Sequence, residues 1–196
     1  CASVDVSSTN SPQPVTLHVV VVPAIQPTPE PDPLFFLAGG PGQSASQVAP
    51  IIGRVFRKLQ IKRDLVFVDQ RGTGQSGALD CDDGGQELAD MFVEDASVDD
   101  ISKCWEELQI VPENYSTSIA ADDIDQVRQA LGYDQINIYG VSYGTRLGLE
   151  LMRRHPSIVR GAILDGVAPP DVPLGSNFAE AAQNSLDKVL EACSED

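Results

Sequence analysis

Positive charge is scarce in this 196-residue chain: 13 Lys and Arg stand against 29 Asp and Glu, a net charge of −16. Phosphate backbones are held by clustered cations, so nucleic acid is excluded as a natural partner. Histidine is scarcer still, with only His18 and His155. The four cysteines, Cys1, Cys81, Cys104 and Cys193, include no close pair of the kind that holds zinc, and no metal site is expected. No run of about 18 apolar residues occurs, so no membrane span is encoded here. Cys1 leads at once into strand-like sequence, without the charged and apolar regions of a signal peptide, which a precursor would carry upstream. What is present is ordinary apolar content, 42%, enough for one sizeable core or part of a larger domain. The acidity fits a soluble extracellular or periplasmic protein.

The apolar residues come in short continuous runs. Val15–Val22, Leu34–Leu37, Leu65–Val68, Ile136–Tyr139 and Ala162–Leu164 read as strands, with Leu34–Leu37 and Leu65–Val68 as buried ones. Between them lie helical patterns. Val48, Ile51, Ile52, Val55, Phe56 and Leu59 mark one helix. Ala120, Ile124, Val127 and Leu131 mark another, with Ser118 as its cap, Asp122 and Asp123 in its first turn and Gly132 after its end. Thr145–Arg154 and 177–193 mark two more. Five prolines make 23–33 an extended connector, and 79–115 is a loop-rich excursion with a short helix near Trp105. Strands alternating with amphipathic helices predict an α/β fold: a mostly parallel sheet with helices on both faces.

The chemistry concentrates at 140–144. Gly140-Val141-Ser142-Tyr143-Gly144 stands between a buried strand and an amphipathic helix, the context in which Gly-x-Ser-x-Gly is a nucleophile elbow. Side chains at Gly140 and Gly144 would collide with neighbouring backbone, and Ser142 is pushed out above the sheet as candidate nucleophile. The helix behind it points a positive dipole end at developing negative charge. Acyl transfer needs two N–H donors for the oxyanion. Tyr143 N–H is one candidate. The loop Ala38-Gly39-Gly40-Pro41-Gly42, following an earlier strand, supplies the other at Gly40; its spacing fits no phosphate-binding loop.

Leu37–Ser44, Asp69–Gly77, Gly140–Leu149 and Leu164–Pro170, in that order, resemble the proline iminopeptidase and tripeptidyl aminopeptidase branch of the α/β-hydrolases. Leu-Ala-Gly-Gly-Pro-Gly-Gln-Ser resembles the branch's His-Gly-Gly-Pro-Gly loop, with Ala38 in place of the histidine, as in its secreted tripeptidyl-type members. Asp69-Gln70-Arg71-Gly72-Thr73-Gly74-Gln75-Ser76 resembles its second signature loop, and Gly140–Arg146 its elbow. The resemblance implies a serine exopeptidase acting at a free N-terminus, with a peptide or small acyl substrate, no cofactor, a lid inserted after the strand near Leu164, and a secreted location. Residues 1–196 are then the N-terminal part of one domain, truncated before the lid and the last strands, with 171–196 as the start of the lid region.

The triad of this fold runs Ser, then Asp or Glu, then His. His18 precedes Ser142, and His155 stands at the far end of the helix that starts at Ser142, about 20 Å away at 1.5 Å per residue. Neither serves as base, so the fragment alone is expected to be inactive, its missing C-terminal portion acting as partner. Asp165, at a strand end, is a candidate acid or a structural turn, the turn being favoured; the family places its acid on a later strand. Arg71 pairs with a carboxylate near the site or braces its loop, and bracing is favoured. Cys81 and Cys104 flank an acidic loop, which a disulfide would staple if the compartment is oxidising; two buried free thiols are the alternative. Two other functions remain open: an esterase or lipase, which shares the elbow and oxyanion loop, and a non-catalytic protein that keeps the hydrolase fold.

Overall fold

A computed structural model describes residues 1–8, 11–80, 98–175 and 178–194. Their strands are β1 (Ala2–Ser8), β2 (Ser11–Val22), β3 (Leu34–Leu37), β4 (Leu65–Val68), β5 (Ile136–Val141) and β6 (Val159–Asp165). The helices are α1 (Ala45–Val55), α2 (Arg57–Gln60), α3 (Val98–Leu108), α4 (Thr117–Ala130), α5 (Tyr143–Arg154) and α6 (Phe178–Ser194), with a 3-10 turn at Pro112–Tyr115. The strands form one sheet in the order β1-β2-β4-β3-β5-β6. Its β4-β3-β5-β6 part is parallel, and β1 and β2 join it antiparallel. The expected mostly parallel sheet is found, with the antiparallel β1–β2 hairpin at one edge as an addition.

Each face of the sheet is covered. On one, Phe35, Leu37, Val66, Val68, Ile136 and Ile138 meet Ala120, Ala121, Ile124 and Val127 of α4 and Leu147 and Leu151 of α5. On the other, Leu34, Phe36, Leu65 and Phe67 meet Ala45 and Ala49 of α1. The period of two sends alternate residues of β3 and β4 to opposite faces. Both faces are covered, so both strands are apolar throughout, and all four residues of each are buried. Leu147 and Leu151 are fully buried, each worth roughly 1.5–3 kcal/mol of transfer free energy.

Several local expectations shift. The helix expected from Val48 to Leu59 starts at Ala45 and breaks at Phe56 into α1 and α2. Its cap is Ser44, whose hydroxyl accepts from Gln47 N–H at 3.3 Å. The cap of α4 is Ser116, not Ser118: the Ser116 hydroxyl accepts from Ile119 N–H, while Ser118 donates to Glu150 Oε1 at 2.6 Å. With α4 starting at Thr117, its first turn holds no acidic residue, and Asp122 and Asp123 lie in its second. Both are used for tertiary ion pairs instead. Of the excursion at 79–115, α3 and the turn at Pro112–Tyr115 are described; 81–97 is not.

At the other edge, β6 bonds only to β5 among the described residues, and Ile163 is 53% exposed. Helix α6 buries no side chain, and Leu186, Val189 and Leu190 are all more than half exposed.

Candidate active site

Ser142 is the single residue between β5 and α5. It is exposed, at φ 53° and ψ −120°, a region that costs a non-glycine residue about 1–3 kcal/mol. Its neighbours hold it there. Its N–H donates to Asp165 O at 2.9 Å, tying the turn to the end of β6. Its carbonyl accepts from Thr145 N–H at 2.9 Å and from Thr145 Oγ1 at 2.6 Å. The flanking glycines are required sterically. A Cβ on Gly140 would lie 2.5 Å from Gly144 O, and one on Gly144 would lie 2.0 Å from Leu37 O. Helix α5 thus approaches β3 backbone to backbone, which brings the elbow beside the loop that leaves β3.

That loop is the glycine-rich one. β3 and β5 pair in parallel with Leu37 opposite Gly140, so 38–42 and Ser142 emerge at the same edge. A Cβ on Gly39 would stand 3.5 Å from Ser142 Cβ. Gly39 N–H donates to Gln43 Oε1 at 3.0 Å and is committed there. Gly40, at φ 100°, is exposed, and its N–H has no acceptor among the described residues. Pro41 and Gly42 are exposed beside it. Tyr143 opens α5, so its N–H has no intrahelical acceptor. Its phenol oxygen lies 2.9 Å from Thr117 Oγ1, which ties the residue after Ser142 to the start of α4.

The two histidines lie elsewhere. His18 is on β2, three strands from β5, about 14 Å at the usual strand spacing. His155 caps the far end of α5, with Nε2 2.8 Å from Asp122 Oδ1. Arg154 forks onto the same carboxylate at 2.8 and 2.6 Å. The Asp165 carboxylate accepts the Tyr139 hydroxyl at 2.6 Å, and that bond, with some burial, raises the Tyr139 phenol above its ordinary pKa. Gly166 follows at φ 64°. Arg71 is a brace: it forks onto Asp123 with two bonds of 2.6 Å and reaches Asn114 O at 3.1 Å. Both side chains of that pair are almost completely buried. Burial raises the Asp123 carboxyl above its usual range, against the pull of Arg71.

Three residues lie in the sequence motifs, but the motifs assign them no role. Thr145 is fully buried, and besides holding the Ser142 carbonyl it accepts Ala168 N–H at 2.8 Å. Arg146 donates to Pro169 O and Val172 O, both at 2.5 Å, fixing the segment after β6 to the first turn of α5. Asp69 is fully buried at the end of β4, with its carboxylate turned toward the start of α1. A cavity of about 350 Å³ lined by Leu34, Leu59, Arg63, Asn137 and Arg160 lies toward the strand beginnings, away from Ser142.

No group of three or more His, Cys, Asp or Glu placed to hold a metal occurs among the described residues. No described helix is long and apolar enough to cross a membrane. Cys1 and Cys193 are free and exposed. Cys81 lies outside the described residues, so its expected pairing with Cys104 does too.

Known proteins share this architecture. The family described as alpha/beta hydrolase fold matches residues 32–192. YuaR of Escherichia coli K12 is 29% identical over 200 residues, 96% of this chain and 39% of that protein. The tripeptidyl aminopeptidase of Streptomyces lividans is 28% identical over 153 residues, 70% of this chain and 28% of that enzyme. The crystal structure of proline iminopeptidase from Mycobacterium smegmatis superposes with a TM-score of 0.55 at 22% identity, over 82% of this chain and 42% of that one. The chain therefore spans well under half the length of these relatives.

Proposed function

The chain belongs to the α/β-hydrolase family, and from that premise we propose that it is the nucleophile-bearing part of a serine exopeptidase that cleaves peptides near a free N-terminus. The observation that carries the proposal is the backbone of Ser142. A serine held at φ 53° between two glycines that admit no Cβ, exposed at the strand ends with a helix N-terminus behind it, is built to present a hydroxyl. In the proposed reaction the Ser142 hydroxyl adds to the scissile carbonyl and gives up its proton to a base. Gly40 N–H and Tyr143 N–H receive the oxyanion. The carbonyl re-forms as the C–N bond breaks, the amine leaves with the proton, and the acyl group remains as an ester on Ser142. Water then attacks that ester, and Ser142 recovers its proton.

The base is the part that this chain does not supply. His155 is engaged by Asp122 at the wrong end of α5, and His18 is three strands away. We therefore assign base and acid to sequence following residue 196, in keeping with the 39% of YuaR that the chain spans. Residues 1–196 alone then turn over no peptide at an enzymatic rate. The exopeptidase assignment draws on relatives named for tripeptidyl aminopeptidase and proline iminopeptidase activity. A net charge of −16 adds a long-range field that favours a protonated amino terminus. A secreted location and a lid starting at 171–196 belong to the same proposal and rest on the motif resemblance of the sequence alone.

The exopeptidase assignment is tested with one peptide amide in two forms, N-terminally free and N-acetylated, offered to the protein carrying its natural downstream sequence. Preference for the free form by more than about tenfold in kcat/KM is expected, a difference of about 1.4 kcal/mol. Equal turnover of both forms would point to an endopeptidase, and cleavage of neither amide alongside turnover of a small acyl ester would point to an esterase.

A further inference from the structure

We propose that Asp69 is the positioning residue of the oxyanion loop, holding Gly39–Gly42 against Ser142 through Ser44 and Ser46. This rests on Ser142 being the nucleophile. The Asp69 side chain ends β4, next to β3 in the sheet, and is fully buried. Its Oδ1 accepts Ser44 Oγ at 2.9 Å and Ser46 N–H at 2.8 Å. Its Oδ2 accepts Ser46 Oγ at 2.8 Å and Gln75 N–H at 3.1 Å. The Asp69 carbonyl accepts Ser76 Oγ at 2.7 Å, and Ser76 Oγ in turn accepts His18 N–H at 2.8 Å, locking the aspartate to β2.

A buried carboxylate is costly unless its oxygens are satisfied. Here no ion pair is formed among the described residues, and four donors satisfy the carboxylate instead: Ser44 Oγ at the cap of α1, Ser46 N–H and Oγ in its first turn, and Gln75 N–H in the loop after β4. Burial pushes the Asp69 carboxyl up, and the bonds from Ser46, Gln75 and Ser44 outweigh it, leaving the group below its usual range. It therefore stays ionised as a strong, fixed acceptor. Its donors are placed where the glycine loop ends. The loop leaves β3 after Leu37, which is fixed opposite Gly140. It enters α1 at Ser44, the helix cap. Asp69 pins that second end, so Gly40 N–H sits on a span of six residues with both ends held.

The test uses the protein with its natural downstream sequence, in four forms: wild type, Asp69→Asn, Ser46→Ala and Ser142→Ala. Asparagine keeps Oδ1 for Ser44 and Ser46 but turns an N–H donor toward Gln75 N–H. A loss of kcat of about 10- to 100-fold, with KM within about twofold, is expected for Asp69→Asn, because about 1 Å of misplacement has that effect on an oriented donor. Ser46→Ala should show a smaller loss with the same split. Hydrogen exchange at residues 38–43 in the 196-residue chain should speed up in both variants. Wild-type kcat in both, or a loss that falls on KM alone, overturns the proposal. Should Asp69→Asn fail to fold, Ser46→Ala decides by the same readouts. Should Ser142→Ala keep wild-type turnover, the nucleophile assignment fails separately, and unchanged exchange at 38–43 would then overturn the role of Asp69 as an anchor.

Discussion

Gly144→Ala adds one methyl group where the structure leaves no room. Its Cβ would sit 2.0 Å from Leu37 O and 2.7 Å from Ala38 O, against a floor of 3.0 Å for real contacts. Both neighbours are backbone of the central strand and the glycine loop, so neither can rotate away. Helix α5 must retreat from β3 by about 1 Å. Overpacking of this kind costs about 1–3 kcal/mol, and rigid backbone on both sides places this case at the upper end. A chain of this size loses roughly 2–4 °C of melting temperature per kcal/mol, so the midpoint should fall by about 6–12 °C. The same retreat carries Tyr143 N–H away from Gly40, which alone lowers turnover by about 100-fold. Gly53→Ala is the matched control. It lies in α1 with nothing within 4 Å of its Cβ, and alanine is favoured there by up to about 1 kcal/mol. Thermal melts of the two variants beside wild type, followed by circular dichroism, measure the difference. A Gly144→Ala midpoint within 2 °C of wild type would refute the reasoning, since the elbow would then have slack that the structure denies.

Other consequences follow from the charges and thiols. Arg71→Met strands the Asp123 carboxylate in the core and should cost about 3–5 kcal/mol in urea unfolding, whereas Arg71→Met with Asp123→Leu should recover most of that. A double variant no more stable than the single one would count against the pair as a brace. Glu150 is held down to about pH 2 first by Arg153 and then by Ser118. A lowered folded value means that its stabilisation is complete above the unfolded value of about 4.5 and is lost as pH falls toward 2. Unfolding free energy should therefore decline through that window, less steeply in Glu150→Gln, and identical slopes would contradict the assignment. For Cys81 and Cys104, a disulfide predicts two reactive thiols in denatured, unreduced protein, those of Cys1 and Cys193, and four after reduction. Such a link would stabilise by roughly 3 kcal/mol through the unfolded chain, and four thiols before reduction would rule it out.

What was legible in the sequence was local. Leu34–Leu37 and Leu65–Val68 announce central strands because both faces are buried, which forces unbroken apolar runs. The elbow announces itself because a turn of that tightness accepts only glycine at 140 and 144. The sequence after Cys1 reads as strand-like but is silent on its partner: Ala2–Ser8 is mostly polar, and among its described side chains only Val6 is buried, so its pairing is decided by β2. Long-range polar pairings were equally silent. Arg71 and Asp123 are 52 positions apart, and Asp69 and Ser44 are 25 apart. No periodicity connects them, so the sequence marks them as polar residues and leaves their partners open. Thr145 looked like an ordinary helix residue, yet it joins the elbow to the segment after β6. The cap of α4 moved from Ser118 to Ser116 because either serine suits the pattern, and the bond from Ser118 to Glu150 removes one of them.

The most direct measurement is turnover of chromogenic amino-acyl and tripeptidyl amides by three proteins side by side: the protein with its natural downstream sequence, its Ser142→Ala variant, and residues 1–196 alone. Loss of a triad nucleophile costs several orders of magnitude, so wild type should exceed the variant by at least about 10⁴-fold, and the 196-residue chain should fall to the level of the variant. Equal rates for wild type and Ser142→Ala, or turnover by residues 1–196 well above the variant, would contradict the assignment of Ser142 as a nucleophile whose base lies outside this chain.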